Sequence, residues 1–185
     1  MGYDIPAGIG VRMAQEDGEV FIILGDGNYQ MHPMELVTAV QEQTKLIVIL
    51  NVNYGFQSIH GHQKALVGHS LGNEFRIRDS QTHLLDKGKF IEIDYVKNAE
   101  SIGLRGFLAT NEAEIRQALA EARAETRSCM IVVPTEKYRY TPDSGIWWEV
   151  VGAEVTKDPT TEELVAARET GRADQRFYMK SCGTS

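Results

Sequence analysis

The sequence predicts an α/β domain of three layers, a mostly parallel sheet flanked by helices, followed by a C-terminal extension. Three observations carry this. Short, continuously apolar runs, namely EVFIIL (19–24), KLIVILN (45–51) and CMIVVPT (129–135), alternate with stretches of helical spacing. Strands apolar on both faces suit a parallel sheet covered by helices, and their alternation with helices implies right-handed crossovers. The 185 residues are 42% hydrophobic, ample for one core.

In chain order, PAGIGVRMAQEDG (6–18) reads as a helix with Pro6 in its first turn and Gly18 after its end. EVFIIL follows as a strand. PMELVTAVQEQ (33–43) opens with Pro33 and spaces Met34, Val37 and Val40 as a helix does. KLIVILN is a second strand, and both it and EVFIIL are expected in the middle of the sheet. Residues 52–90 hold five glycines, four of the five histidines and little periodicity, and are expected to form a long loop, functional or mobile. DYVKNAESIG (94–103) is a helix and GFLAT (106–110) a strand. NEAEIRQALAEARAET (111–126) is a helix that Asn111 could cap, with Glu114 three residues on. CMIVVPT is the last strand. The expected division is a ligand-binding domain over 1–135 and an extension over 136–185, which carries Trp147, Trp148 and a charged helix near 160–173.

A net charge of −7 without a basic cluster argues against nucleic acid and membrane surfaces as partners. The apolar runs are far shorter than a membrane span, and the N-terminus lacks a signal-peptide pattern. Cys129, in an apolar strand, reads as a buried thiol, and with Cys182 it makes no disulfide framework; the expected setting is reducing and cytoplasmic.

The chemistry concentrates in FIILGDGNYQMHPMEL (21–36). Ligands of open parallel sheets bind beyond the carboxyl ends of the strands. Asp26 follows one strand and Asn51 and Asn53 the next, so a carboxylate and carboxamides reach one edge. Gly25 and Gly27 remove side chains beside Asp26, which lets main chain approach a ligand. One carboxylate with neutral oxygens suits Mg²⁺, which commonly shares its ligands with phosphates, and a helix start nearby favours anionic oxygens. The pattern therefore reads as a Mg²⁺–diphosphate site, while a plain Gly-Asp-Gly turn stays open as the alternative. Aspartate-nucleophile phosphatases fail as a reading, because Tyr29-Gln30 replaces their Asn-Asp pair and the chain has no Asp-x-Asp motif. His60 and His62 form His-x-His without further ligands at zinc spacing, and read as loop residues or proton-transfer groups.

Gly-Asp-Gly, a helix, an apolar strand and Asn51-Val52-Asn53 together resemble the signature of thiamine-diphosphate-dependent enzymes, although Val52 stands where the family's first paired Asn belongs. MGYDIPAGIGVRMA (1–14) is similar to a stretch of acetolactate-synthase-like members. The resemblance implies thiamine diphosphate and Mg²⁺ as cofactors, with Asp26, Asn53 and the Gly55 carbonyl on the metal. It also implies that Met1, Gly25, Gly27, Asn28 and Phe56 flank the cofactor. GFQSIHGHQKALVGHSLGNEFRIRD (55–79), YVKNAESIGLRG (95–106), YTPDSGIWWEV (140–150) and QRFY (175–178) look like the trihydroxycyclohexanedione hydrolases of inositol breakdown, a branch of the same family. That branch opens a cyclic 1,2-diketone by cleaving a C–C bond with water. His69 and Arg76 are then candidate substrate contacts.

The resemblance further implies that the activating glutamate lies on a pyrimidine-binding domain outside this chain. The chain is thus expected to be an inactive fragment of an oligomeric enzyme whose partners are its own N-terminal domains and a small-molecule substrate. The alternatives are an acetolactate-synthase-like or 2-keto acid decarboxylase member, or a non-catalytic α/β interaction module.

Overall fold

The computed structural model describes residues 1–15, 17–140, 153 and 155–174. Trp147, Trp148, QRFY and Cys182 lie outside the described residues. The described residues divide into two compact units, 1–60 with 71–139, and 61–70 with residues from Tyr140 on. The grouping of 61–70 with the C-terminal part has no signal in the sequence.

The first unit is built on a sheet of four parallel strands, β1 (Phe21–Gly25), β2 (Ile47–Val52), β3 (Arg105–Leu108) and β4 (Cys129–Pro134), in the order β1-β2-β4-β3. Helices α1 (Asp4–Ala14), α3 (Glu35–Gln41) and α5 (Tyr95–Ile102) bury Ile5, Ile9, Leu36, Ala39 and Ala99 with Leu24, Val48, Leu50, Met130 and Val132 of the sheet. Helix α6 (Glu112–Ala124) closes the other face over Ile47, Cys129 and Ile131 through Ala118 and Ala122. Cys129 is buried there as a free thiol. Asn111 caps α6, its side chain accepting from Glu114 N, while the Glu114 carboxylate takes the Thr110 N–H. Gly103, in the left-handed region at φ +106°, terminates α5.

Three expectations change. β1 is an edge strand, and α6 leaves its second face uncovered, so Ile23 is 71% exposed. A strand apolar on both faces can thus lie at an edge, and composition does not say which. The chain coils directly at Asp26 into the single-turn helix α2 (Asp26–Tyr29), before α3 begins at Glu35. The expected loop at 52–90 contains an eleven-residue helix, α4 (Gln57–Val67). Its apolar residues are too few to mark a helical face among so many polar ones. Two antiparallel bridges, Gly55 with Glu74 and Arg76 with Phe90, organise the rest of that segment.

In the second unit, α7 (Pro159–Ala173) coincides with the expected charged helix. Asp158 caps it, accepting from Thr161 N at 3.2 Å, and Pro159 occupies the first turn. No helix among the described residues is long and apolar enough to cross a membrane.

Candidate functional site

Parallel pairing of β1 with β2 sets Gly25 opposite Asn51, so the chain leaves both strands side by side at the carboxyl edge. Asp26 is the first residue past β1 and is 1% exposed. Its Oδ1 accepts from Gly27 N at 3.0 Å and Gly55 N at 3.2 Å, and its Oδ2 from Tyr54 N at 2.8 Å. Burial pushes the Asp26 carboxyl above the usual carboxylate range, and the main-chain N–H groups of Gly55, Tyr54, Asn53 and Gly27 pull against that shift.

The Asn53 carboxamide lies 3.0 Å from Asp26 Oδ1 and 3.1 Å from the Gly55 carbonyl oxygen, and donates to both when its NH₂ group is turned toward them. Rotated by half a turn, it would present oxygen instead. The carboxamide thus stands within hydrogen-bond distance of both a carboxylate and a carbonyl oxygen. The backbone is shaped for this, with Tyr54 at φ +66° and Gly55 at φ +141°. No side chain fits at Gly55, where a Cβ would stand 2.2 Å from the Asn73 carbonyl oxygen. Gly27 is also required: a Cβ there would meet Phe56 Cδ1 at 2.8 Å and the Gly55 carbonyl oxygen at 2.9 Å. Gly25 is less constrained, with 4.0 Å to its nearest neighbour.

Asn28 turns its amide to Asp4 Oδ2 at 3.1 Å. Phe56 is half-buried beside Gly27, and Met1 is 68% exposed. Asp26, Gly27, Asn53, Gly55 and Phe56 are therefore brought together. His69 belongs to the second unit, where its Nδ1 lies 3.0 Å from the Val67 carbonyl oxygen. Arg76 is directed to protein partners: Nε donates to Glu74 at 2.9 Å, Nη1 to the Gly88 carbonyl at 2.8 Å and Nη2 to the Tyr138 hydroxyl at 3.0 Å, over the Phe90 ring. His60 is buried near the Tyr138 ring, whereas His62 is exposed. Sequence reasoning missed the Tyr54 N–H on Asp26, since a main-chain donor carries no residue signature.

Residues 1–133 match the family described as thiamine pyrophosphate enzyme, C-terminal TPP binding domain. The 3D-(3,5/4)-trihydroxycyclohexane-1,2-dione hydrolase of Clostridium botulinum (strain Alaska E43 / Type E3) is 39% identical over 163 residues, 88% of this chain and 25% of that protein. The 3D-(3,5/4)-trihydroxycyclohexane-1,2-dione hydrolase of Bacillus cereus (strain AH820) is 33% identical over 178 residues, 96% of this chain and 28% of its own length. The chain thus spans about a quarter of the length of these curated relatives. Among solved structures, the Rhodococcus jostii RHA1 thiamine diphosphate-dependent 4-hydroxybenzoylformate decarboxylase superposes with a TM-score of 0.62 at 25% identity, covering 74% of this chain and 23% of that one. The sheet-edge geometry and the family match agree: the chain belongs to the thiamine pyrophosphate enzymes, as their C-terminal cofactor-binding domain.

Proposed function

We propose that this domain holds the Mg²⁺–diphosphate end of thiamine diphosphate in an enzyme that cleaves a C–C bond of 3D-(3,5/4)-trihydroxycyclohexane-1,2-dione during inositol breakdown. One observation carries the metal assignment. The Asn53 carboxamide stands 3.0 Å from Asp26 Oδ1 and 3.1 Å from the Gly55 carbonyl. An octahedron with metal–oxygen distances of about 2.1 Å has adjacent ligands about 3.0 Å apart, so the two Asn53 distances suit Mg²⁺ once the carboxamide presents its oxygen.

Asp26, Asn53 and the Gly55 carbonyl would hold the cation. Gly27 and Asn28 would face the diphosphate, with Gly25, Phe56 and Met1 alongside. Asp26 brings one charge to balance the cation, and its main-chain donors favour the ionised form against the upward pull of burial. Protonation competes with the cation, so affinity should fall with decreasing pH from a point above the ordinary carboxylate range. The bound cofactor supplies a nucleophilic carbon and an electron sink for the cleavage.

The substrate reading rests on relatives at 33–39% identity, against 25% for the decarboxylase neighbour. Ring opening is proposed for a whole enzyme of those relatives' kind. Calorimetric titration with thiamine diphosphate tests the site. Binding should require Mg²⁺ and be lost in Asp26→Ala; binding that ignores Mg²⁺ or survives the substitution would overturn the assignment.

A further inference from the structure

The turn that carries Asn53 and Gly55 is clamped from outside by residues 73–75. Glu74 pairs with Gly55 through the main chain, flanked by Phe56 N to the Asn73 carbonyl at 2.7 Å and Phe75 N to the Tyr54 carbonyl at 2.9 Å. The Glu74 side chain, 8% exposed, takes three donors: Arg76 Nε at 2.9 Å, the Tyr138 hydroxyl at 2.8 Å and Gln57 Nε2 at 3.4 Å. Gln57, 5% exposed, also donates from Nε2 to the Asn53 main-chain carbonyl at 3.0 Å. The main chain of residues 73–75 thus holds the middle of the 53–57 turn, and the Glu74 carboxylate holds its two ends through Gln57.

The grip opposes a real tendency. Tyr54 at φ +66° sits where a bulky side chain is disfavoured, so the turn would relax if released. Relaxation would swing the Gly55 carbonyl and the Tyr54 N–H away from Asp26. The charge of Glu74 is paired with Arg76, and the Tyr138 hydroxyl donates to its other oxygen, so the clamp adds no uncompensated anion.

We propose that Glu74 is a positioning residue: its carboxylate holds Gln57, and through Gln57 it aims the turn that carries the cation ligands, while Arg76 and Tyr138 hold Glu74 itself. The inference rests on the reading of Asp26, Asn53 and Gly55 as a cation site. Arg76 then serves the cofactor end through Glu74, a different part from the substrate contact expected of it.

Amide hydrogen exchange of the unliganded chain reads the clamp directly. In Glu74→Gln, exchange at Tyr54 and Gly55 should accelerate about tenfold, the scale of one charge-assisted hydrogen bond, with Val48 and Ile131 unchanged. Gln57→Met should act in the same direction. Affinity for Mg²⁺–thiamine diphosphate should fall about tenfold in both variants, again one such bond's worth. Unchanged exchange at Tyr54 and Gly55, or an equal rise throughout the sheet, would overturn the clamp. Asp26→Ala separates the two readings: unaltered cofactor binding there defeats the cation site, whatever the exchange data say of Glu74.

Discussion

β1 and β2 end side by side, and each end carries a tyrosine held by different means. Tyr29, three residues past Asp26, is 1% exposed, meets Tyr95 edge-on at 5.6 Å and gives its hydroxyl to Asn98. Tyr54, beside Asn53, is half-buried, with its hydroxyl on the exposed Glu92 and its ring near Phe90 and Lys137. The β1 end is fixed by burial, which is strong and non-directional. The β2 end is fixed by hydrogen bonds, each worth less but aimed. A cation needs directed oxygens, and the end that supplies a carbonyl and a carboxamide is the hydrogen-bonded one.

The largest effect should come from the buried end. Tyr29→Ala removes an aromatic ring from the main core cluster and should cost about 3–5 kcal/mol, read as a lower urea midpoint. Because α2 spans Asp26–Tyr29, the same variant should also loosen Asp26. A loss below about 1 kcal/mol would mean that the surrounding core collapses into the space, and that burial is not what fixes this end.

This contrast also explains what could be read in advance. Gly-Asp-Gly sits directly after β1, so the first end of the site is local in sequence. Asn53 was legible for the same reason, as the polar residue after β2. The support for the second end comes from Glu74, 17 residues beyond Gln57, and from Tyr138, 64 residues beyond Glu74, and is joined through side chains that look like ordinary loop residues. Pairing of this kind has no period and no spacing. The edge position of β1 was hidden too, because neighbours, and not the strand's own residues, decide which strand lies outermost.

Alkaline titration separates the ends by a second route. Burial pushes the phenols of Tyr29 and Tyr95 up to about 12. Below pH 10 both are protonated whether the chain is folded or not, and contribute no pH dependence. Between about 10 and about 12 the unfolded chain ionises while the fold resists, so stability falls as pH rises, by about 1.4 kcal/mol for each pH unit and each tyrosine. Urea midpoints measured from pH 9 upward should show this decline, with a shallower slope in Tyr29→Phe. A profile unaffected by Tyr29→Phe would show that water reaches this phenol.

The smallest effect should come from Tyr54→Phe. The substitution keeps the ring, its 5.0 Å approach to Phe90 and its place under Lys137 Nζ at 4.4 Å. It removes one hydroxyl whose partner, Glu92, is exposed, so water takes that place on the Glu92 carboxylate. Exposed bonds of this kind are worth little, and the cost should stay within about 0.5 kcal/mol. The main-chain bond from Tyr54 N to Asp26 is untouched, so Mg²⁺-dependent cofactor binding should also be unchanged. A loss above about 1.5 kcal/mol, or a weakened cation site, would place the support of the turn in that hydroxyl and take it away from the Glu74 side. The paired measurement is Tyr29→Phe, where the same atom is lost from a buried ring and the cost should be larger.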